Sequence, residues 1–123
     1  MRTEAQEQSA FFKTARLWLP EEIRGLLFAS MNGAMMHGGR AGQMAKYQGM
    51  VNGVPDIQLA WPRLGYYGLF IEMKRTEEAG DSKVSEDQAN MLEALNRAGY
   101  KAVVCYGCDE AMDVLRDYML GNH

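Results

Sequence analysis

Two short apolar runs, Val54–Ala60 and Gly68–Lys74, constrain this chain more than any other feature. Both are rich in residues that suit a pleated strand, and the spacer Trp61–Tyr67 is short enough for the two to pair as a hairpin. Polar residues interrupt the runs at telling places. Pro55-Asp56 stands at the mouth of the first, and Glu72-Met73-Lys74 closes the second. Side chains alternate along a strand, so Glu72 and Lys74 face one way while Leu69, Ile71 and Met73 face the other. Antiparallel pairing brings Asp56 beside Glu72. Two close carboxylates repel unless a proton or a cation lies between them. A hard divalent ion with oxygen ligands, Mg²⁺ or Mn²⁺, fits that need.

An Asp opening one strand and a Glu-x-Lys closing the next resembles the PD-(D/E)xK nuclease superfamily. The flanks narrow the likeness. GVPDI, GYYGLFIEMKR, SEDQANMLEALNRAGYKAVVCYG and the closing helix occur in that order. They resemble the virus-type replication-repair nuclease (VRR-NUC) domain in its stand-alone phage or bacterial form. The resemblance covers nearly the whole chain, with residues 32–47 the least typical. It implies an α/β fold with a restriction-endonuclease-like core: a central mixed sheet flanked by helices. It also implies metal-dependent hydrolysis of DNA phosphodiester bonds, leaving 5′-phosphate and 3′-hydroxyl ends. Asp56 and Glu72 would hold Mg²⁺ or Mn²⁺ with the backbone carbonyl of Met73, and Lys74 would position the attacking water.

The 123 residues form one expected domain, with 47% hydrophobic and 24% charged residues, as in ordinary globular proteins. No apolar run approaches the ~20 residues of a membrane span. The N-terminal MRTEAQEQSA lacks an apolar signal core, so the expected location is cytoplasmic, in a bacterium or a phage-infected cell. The net charge of −3 hides an asymmetry. Residues 1–75 carry nine Lys/Arg and six Asp/Glu, a net of +3, whereas residues 76–123 carry four and ten, a net of −6. The basic part holds the proposed site, and local sign matters more than total charge to a phosphate backbone. Cys105 and Cys108 form a lone CxxC with no second pair for zinc. Strand packing for Cys105 and a turn for Cys108 are the simpler reading.

Residues 3–18 read as a helix, with Thr3 as N-cap and Phe11, Phe12, Ala15 and Trp18 at helical spacing. Related nucleases place a glutamate of this helix near the metal. Glu7, one turn before Phe11, is the preferred candidate and Glu4 the alternative. Either acid also has a plainer role, completing the helix dipole. Leu26–Met31 reads as the first strand. A glycine-rich loop and a short helix over 41–48 follow. The family's Asn-Gly-Gly segment is matched here by Asn32-Gly33 and Gly38-Gly39-Arg40, with residues inserted between. Asn32, Arg40, Lys46, Arg63 and Arg75 are the candidate nucleic-acid contacts.

Ser85 and Gln88 match a capping box that starts a helix ending at Gly99, with Ala89, Leu92 and Leu95 inward. Gln88 has a second possible role, since the family's glutamine here lies close to the catalytic strands. Lys101–Tyr106 is a last strand and Asp109–Leu120 a last helix, giving the order α-β-α-β-β-α-β-α. Stand-alone relatives resemble Holliday junction resolvases, so the resemblance implies branched DNA and a homodimer. Ten methionines, with Met35 and Met36 in the loop, offer an adaptable surface for such a dimer. The alternative reading is a non-cleaving DNA-binding or partner-docking module of the same fold. A third is a structural protein whose Glu72 and Lys74 form a surface pair.

Overall fold

Strand β3, Leu69–Lys74, is buried at all six positions and carries the rest of the sheet. In this computed structural model, which describes residues 1–30, 43–44, 47–76 and 83–121, β3 has a neighbour on each side. It pairs antiparallel with β2 (Ile57–Leu59), Ile57 opposite Ile71 and Leu59 opposite Leu69. β2 in turn pairs antiparallel with β1 (Leu27–Ala29). On its other side β3 pairs in parallel with β4 (Lys101–Tyr106), from Leu69 opposite Lys101 to Lys74 opposite Tyr106. The result is a mixed four-stranded sheet in the order β1-β2-β3-β4. A parallel neighbour needs a crossover rather than a tight turn, and α3 (Glu86–Arg97) lies in that connection.

Alternation along β3 divides the core in two. Leu69, Ile71 and Met73 face α1 (Glu4–Trp18) and α4 (Cys108–Leu120), where Phe11, Ala15, Met112 and Leu115 close the larger cluster. Phe70 faces the other way and packs with Leu92 of α3 and Ala102 of β4. Each helix starts where its sequence dictates. Thr3 and Gln6 form a reciprocal capping box at α1, and Ser85 and Gln88 form another at α3. Gly99 follows α3 with φ of 102°, a left-handed conformation that glycine adopts without a Cβ penalty.

The structure refines several expectations. A short helix α2 (Glu21–Arg24) follows Pro20 and was not expected from the sequence. β1 is trimmed to Leu27–Ala29 and β2 to Ile57–Leu59. Their flanks still bond, Ser30 N–H to the Asp56 carbonyl at 2.7 Å and Ala60 N–H to the Leu26 carbonyl at 2.9 Å. Ala89 is exposed rather than buried, because the inward stripe of α3 is Leu92 with half-buried Met91 and Leu95. Cys108 does not sit in a turn but opens α4, buried. Burial pushes the Cys105 thiol up to about 12, which removes the thiolate that redox exchange needs. Of the expected helix over 41–48, Gln43, Met44 and Tyr47 are helical and Gln48 N–H donates to the Met44 carbonyl; its other residues lie outside the described ones. Met35 and Met36 also lie outside them. Among the described residues no helix is long and apolar enough to cross a membrane.

The loop between β2 and β3 is tied to the end of α4. Tyr118, fully buried, donates its hydroxyl to the Trp61 carbonyl at 2.6 Å. Arg63 donates to the carbonyls of Tyr118 at 3.3 Å and Gly121 at 2.9 Å. A cation at a helix C-terminus meets both the unpaired carbonyls and the negative dipole end. Arg63→Ala is therefore expected to lower unfolding stability by about 1–2 kcal/mol in urea titrations, from lost charge-assisted bonds.

Candidate active site at the end of strand β3

The C-terminal end of β3 is where three helix N-termini meet. Glu4, the first residue of α1, lies 4.0 Å from Lys74 Nζ. Gln88, in the first turn of α3, donates to Glu72 Oε2 at 3.2 Å. The Gly107 N–H, at the cap of α4, donates to the Lys74 carbonyl at 2.8 Å. The positive ends of three dipoles thus surround the polar end of an otherwise apolar strand.

Asp56 precedes β2 by one residue and lies alongside the same end. Its Oδ2 accepts the Met73 N–H at 3.0 Å, which fixes the carboxylate against the backbone of β3. Glu72 is 2% exposed and Lys74 5% exposed, a degree of burial that charged side chains tolerate only when paired. Lys74 Nζ stands 3.9 Å from Glu72 Oε2. The other oxygen, Glu72 Oε1, is buried with no hydrogen-bond partner among the described residues. Burial first, then the neighbouring Asp56 carboxyl and its charge, push the Glu72 carboxyl up to about 9; Lys74 pulls it the other way. Two ionised carboxyls at this distance from water would repel, and a proton or a cation between them would relieve that repulsion.

That donor set suits a hard divalent cation. It offers carboxylate oxygens, one of them orphaned, and no soft ligand. Among the described residues no group of three His, Cys, Asp or Glu side chains converges in a metal-binding geometry. Backbone oxygens, water or substrate oxygens would therefore complete a shell around Asp56 and Glu72, as is usual for Mg²⁺.

The structure brings together Asp56, Glu72, Lys74 and Gln88. Gln88 caps the helix as expected and also lies against β3: its Oε1 accepts the Ser85 N–H at 2.9 Å while its Nε2 donates to Glu72. Gly53 helps hold this arrangement. Its φ is 86°, and a Cβ there would strike the Asp87 carbonyl at the start of α3. A side chain at Gly53 would push Gln88 away from Glu72, a packing constraint that the sequence signals only as a glycine before Pro55.

Two expectations need correction. Glu7 is not the acid that reaches Lys74. It is buried at the cap of α4, where its Oε1 accepts the Cys108 N–H at 3.0 Å and faces Arg2 at 3.4 Å. Glu4 is the α1 carboxylate beside Lys74, 4.0 Å from its Nζ. The capping box explains this, because it makes Glu4 the first helical residue, at the helix end that meets β3. Arg63 is not near these groups either, since it lies in the loop at the opposite end of the β2–β3 hairpin. Arg75 follows Lys74 directly and is half-buried. Asn32, Arg40 and Lys46 lie outside the described residues.

A mixed sheet carrying two carboxylates and a lysine at the end of its hairpin is a nuclease-type architecture. The chain belongs to the VRR-NUC domain family, whose model matches residues 21–109. A solved structure described as a VRR_NUC domain protein is 25% identical, covers 97% of this chain and 89% of its own, and superposes with a TM-score of 0.79. No curated protein matches the chain.

The raised Glu72 carboxyl has a consequence for stability. In the unfolded chain this group ionises near 4.5, and in the folded one near 9. The protonated form stabilises the fold fully below the lower value, and that contribution is lost as pH rises through the upper one. Glu72→Gln keeps the shape and removes the titration. In metal-free buffer it is expected to melt higher than the native protein, with a gap that widens from pH 5 to pH 8 in thermal scans.

Proposed function

We propose that this protein is a Mg²⁺- or Mn²⁺-dependent DNA endonuclease. The buried pair of Asp56 and Glu72, with an orphaned carboxylate oxygen beside Lys74, is the observation that carries this reading. Membership of the VRR-NUC family supports it. When bound, the divalent ion supplies Lewis acidity that polarises the phosphate and lowers the pKa of a coordinated water. Asp56, Glu72 and the Met73 carbonyl are its proposed holders. Gln88 orients Glu72. Lys74, held between Glu72 and Glu4, positions the attacking water and offsets the negative charge that grows on the phosphate. Glu4, and not Glu7, is the α1 carboxylate that faces Lys74, and it keeps the ammonium in place from the α1 side.

Asp56→Asn, Glu72→Gln and Lys74→Ala are each expected to lower DNA cleavage by roughly 10²-fold or more, and EDTA to abolish it. Lys74→Ala is expected to retain DNA binding, since one lysine is a small share of the phosphate contacts. Glu4→Gln is expected to slow cleavage with an unchanged melting temperature. Glu7→Gln is expected to lower the melting temperature, through the weakened bond to the α4 cap, with a smaller effect on rate. The reverse pattern would return the catalytic role to Glu7. Full cleavage by any of the first three variants would remove that residue from the site.

Branched DNA and a two-fold dimer complete the proposal. A symmetric four-way junction needs two opposed cuts, and a dimer offers two sites related by one axis. Light scattering at micromolar concentration and cleavage of four-way junctions against plain duplex test this together. A monomer mass with equal cleavage of both substrates would discard the junction reading and leave a general nuclease.

A further inference from the structure

A cleft of about 580 Å³ runs along the outer side of α1, between that helix and the end of β1. Ala5, Gln8, Ser9, Lys13, Arg16 and Ala29 line it. On a helix of 3.6 residues per turn, Ala5, Ser9 and Lys13 form one row, and Gln8, Phe12 and Arg16 the next. Both rows lie beside the buried face that carries Phe11 and Ala15. Arg16 is held in place by packing over the Phe12 ring, 4.8 Å from its centroid. Lys13 and Arg16 are exposed, and neither pairs with a carboxylate among the described residues. No acidic residue lines the cleft.

Both walls lead into the proposed active site. Ala5 directly follows Glu4, which touches Lys74. Ala29 directly precedes Ser30, whose N–H donates to the Asp56 carbonyl. From Glu4 to Arg16 the helix rises about 18 Å. A strand held at Asp56 and Glu72 and laid along α1 would pass Ala5 and Ser9 and reach two cations that pair with no carboxylate among the described residues.

Resting on the nuclease reading above, we infer that this cleft is the track for the substrate's sugar-phosphate backbone. Lys13 and Arg16 are its phosphate contacts and Gln8 and Ser9 its neutral hydrogen-bonding groups. A second copy of this chain is the rival occupant. With two cations and no carboxylate in its lining, the cleft matches a polyanion better than a second copy of the same lining.

The test measures binding without cleavage. A fluorescein-labelled duplex of about 25 base pairs is titrated in EDTA by anisotropy, from about 50 to 200 mM salt. The proteins compared are the native chain, Lys13→Gln/Arg16→Gln, and Arg97→Gln/Arg116→Gln. The last pair serves as control, because both arginines are exposed and already paired, with Glu93 and Asp113. Glutamine keeps polarity and helix propensity on α1 while removing the charge, and thermal scans check that each variant is folded. Loss of the two cleft cations is expected to lower the salt slope by about two and the affinity at low salt roughly ten- to hundred-fold, with the control unchanged. An unchanged slope in the cleft variant overturns the inference and leaves the nuclease reading standing. So does an equal loss in the control, or conversion of a dimer to a monomer with DNA affinity intact. The expected slope change in a protein that never cleaves with Mg²⁺ would uphold the track and discard the nuclease reading. A native chain without affinity for the duplex overturns the track, while cleavage of four-way junctions with Mg²⁺ decides the nuclease reading separately.

Discussion

The structure depends on one strand having to be two things. β3 is the most enclosed element of the sheet, paired on both edges and covered on both faces, yet it ends in Glu-Met-Lys. Burying a carboxylate and an ammonium costs several kcal/mol per ion even after the surroundings relax, and replacing them with apolar residues would suit packing better. The surroundings offset that cost in part. Gln88 donates to Glu72, Glu4 approaches Lys74, and Asp56 is fixed by the Met73 N–H. One oxygen of Glu72 is nonetheless left without a partner among the described residues. An incompletely satisfied buried group is a poor stabiliser and a natural place to hold something else.

The rest of the fold delivers partners to that strand end. α1 comes from one face of the sheet and α3 from the other, and each begins there with a capping box. The parallel pairing of β3 with β4 requires that α4 also begin at that end. Glu7 joins α1 to α4 by accepting the Cys108 N–H, so the position of Glu4 depends on a buried contact one turn further along the helix. The opposite end of the hairpin does the structural work. Arg63 and Tyr118 tie the β2–β3 loop to the last turn of α4. Chemistry and anchoring are thus separated along the length of β3.

Much of this was legible in the sequence because the decisive patterns are local. Alternation predicted that Glu72 and Lys74 share a face, and the antiparallel register predicted Asp56 beside Glu72. The N-cap at Thr3 and the capping box at Ser85 predicted where α1 and α3 begin. What the sequence could not convey was which helical acid turns toward the lysine. Glu4 and Glu7 lie one turn apart, and the choice is made by the docking of α1 on α4, a contact between residues about a hundred positions apart in the chain. The role of Arg63 was hidden for the same reason, since its acceptors belong to the far end of the chain. An arginine in a loop beside a nuclease motif suggests phosphate, and only the tertiary structure reveals that it caps a helix.

The central claim is that Asp56 and Glu72 hold a proton at neutral pH in a space suited to a divalent cation. A cation entering that space must displace the proton, because a metal ligand has to be deprotonated. Calorimetric titration of the metal-free protein with Mn²⁺ at pH 7, in buffers of different ionisation enthalpy, counts the protons released. The account predicts close to one proton per bound ion in the native protein, and weak binding without release in Glu72→Gln. Tight Mn²⁺ binding to the native protein with no proton released, or binding undiminished in Glu72→Gln, would contradict it.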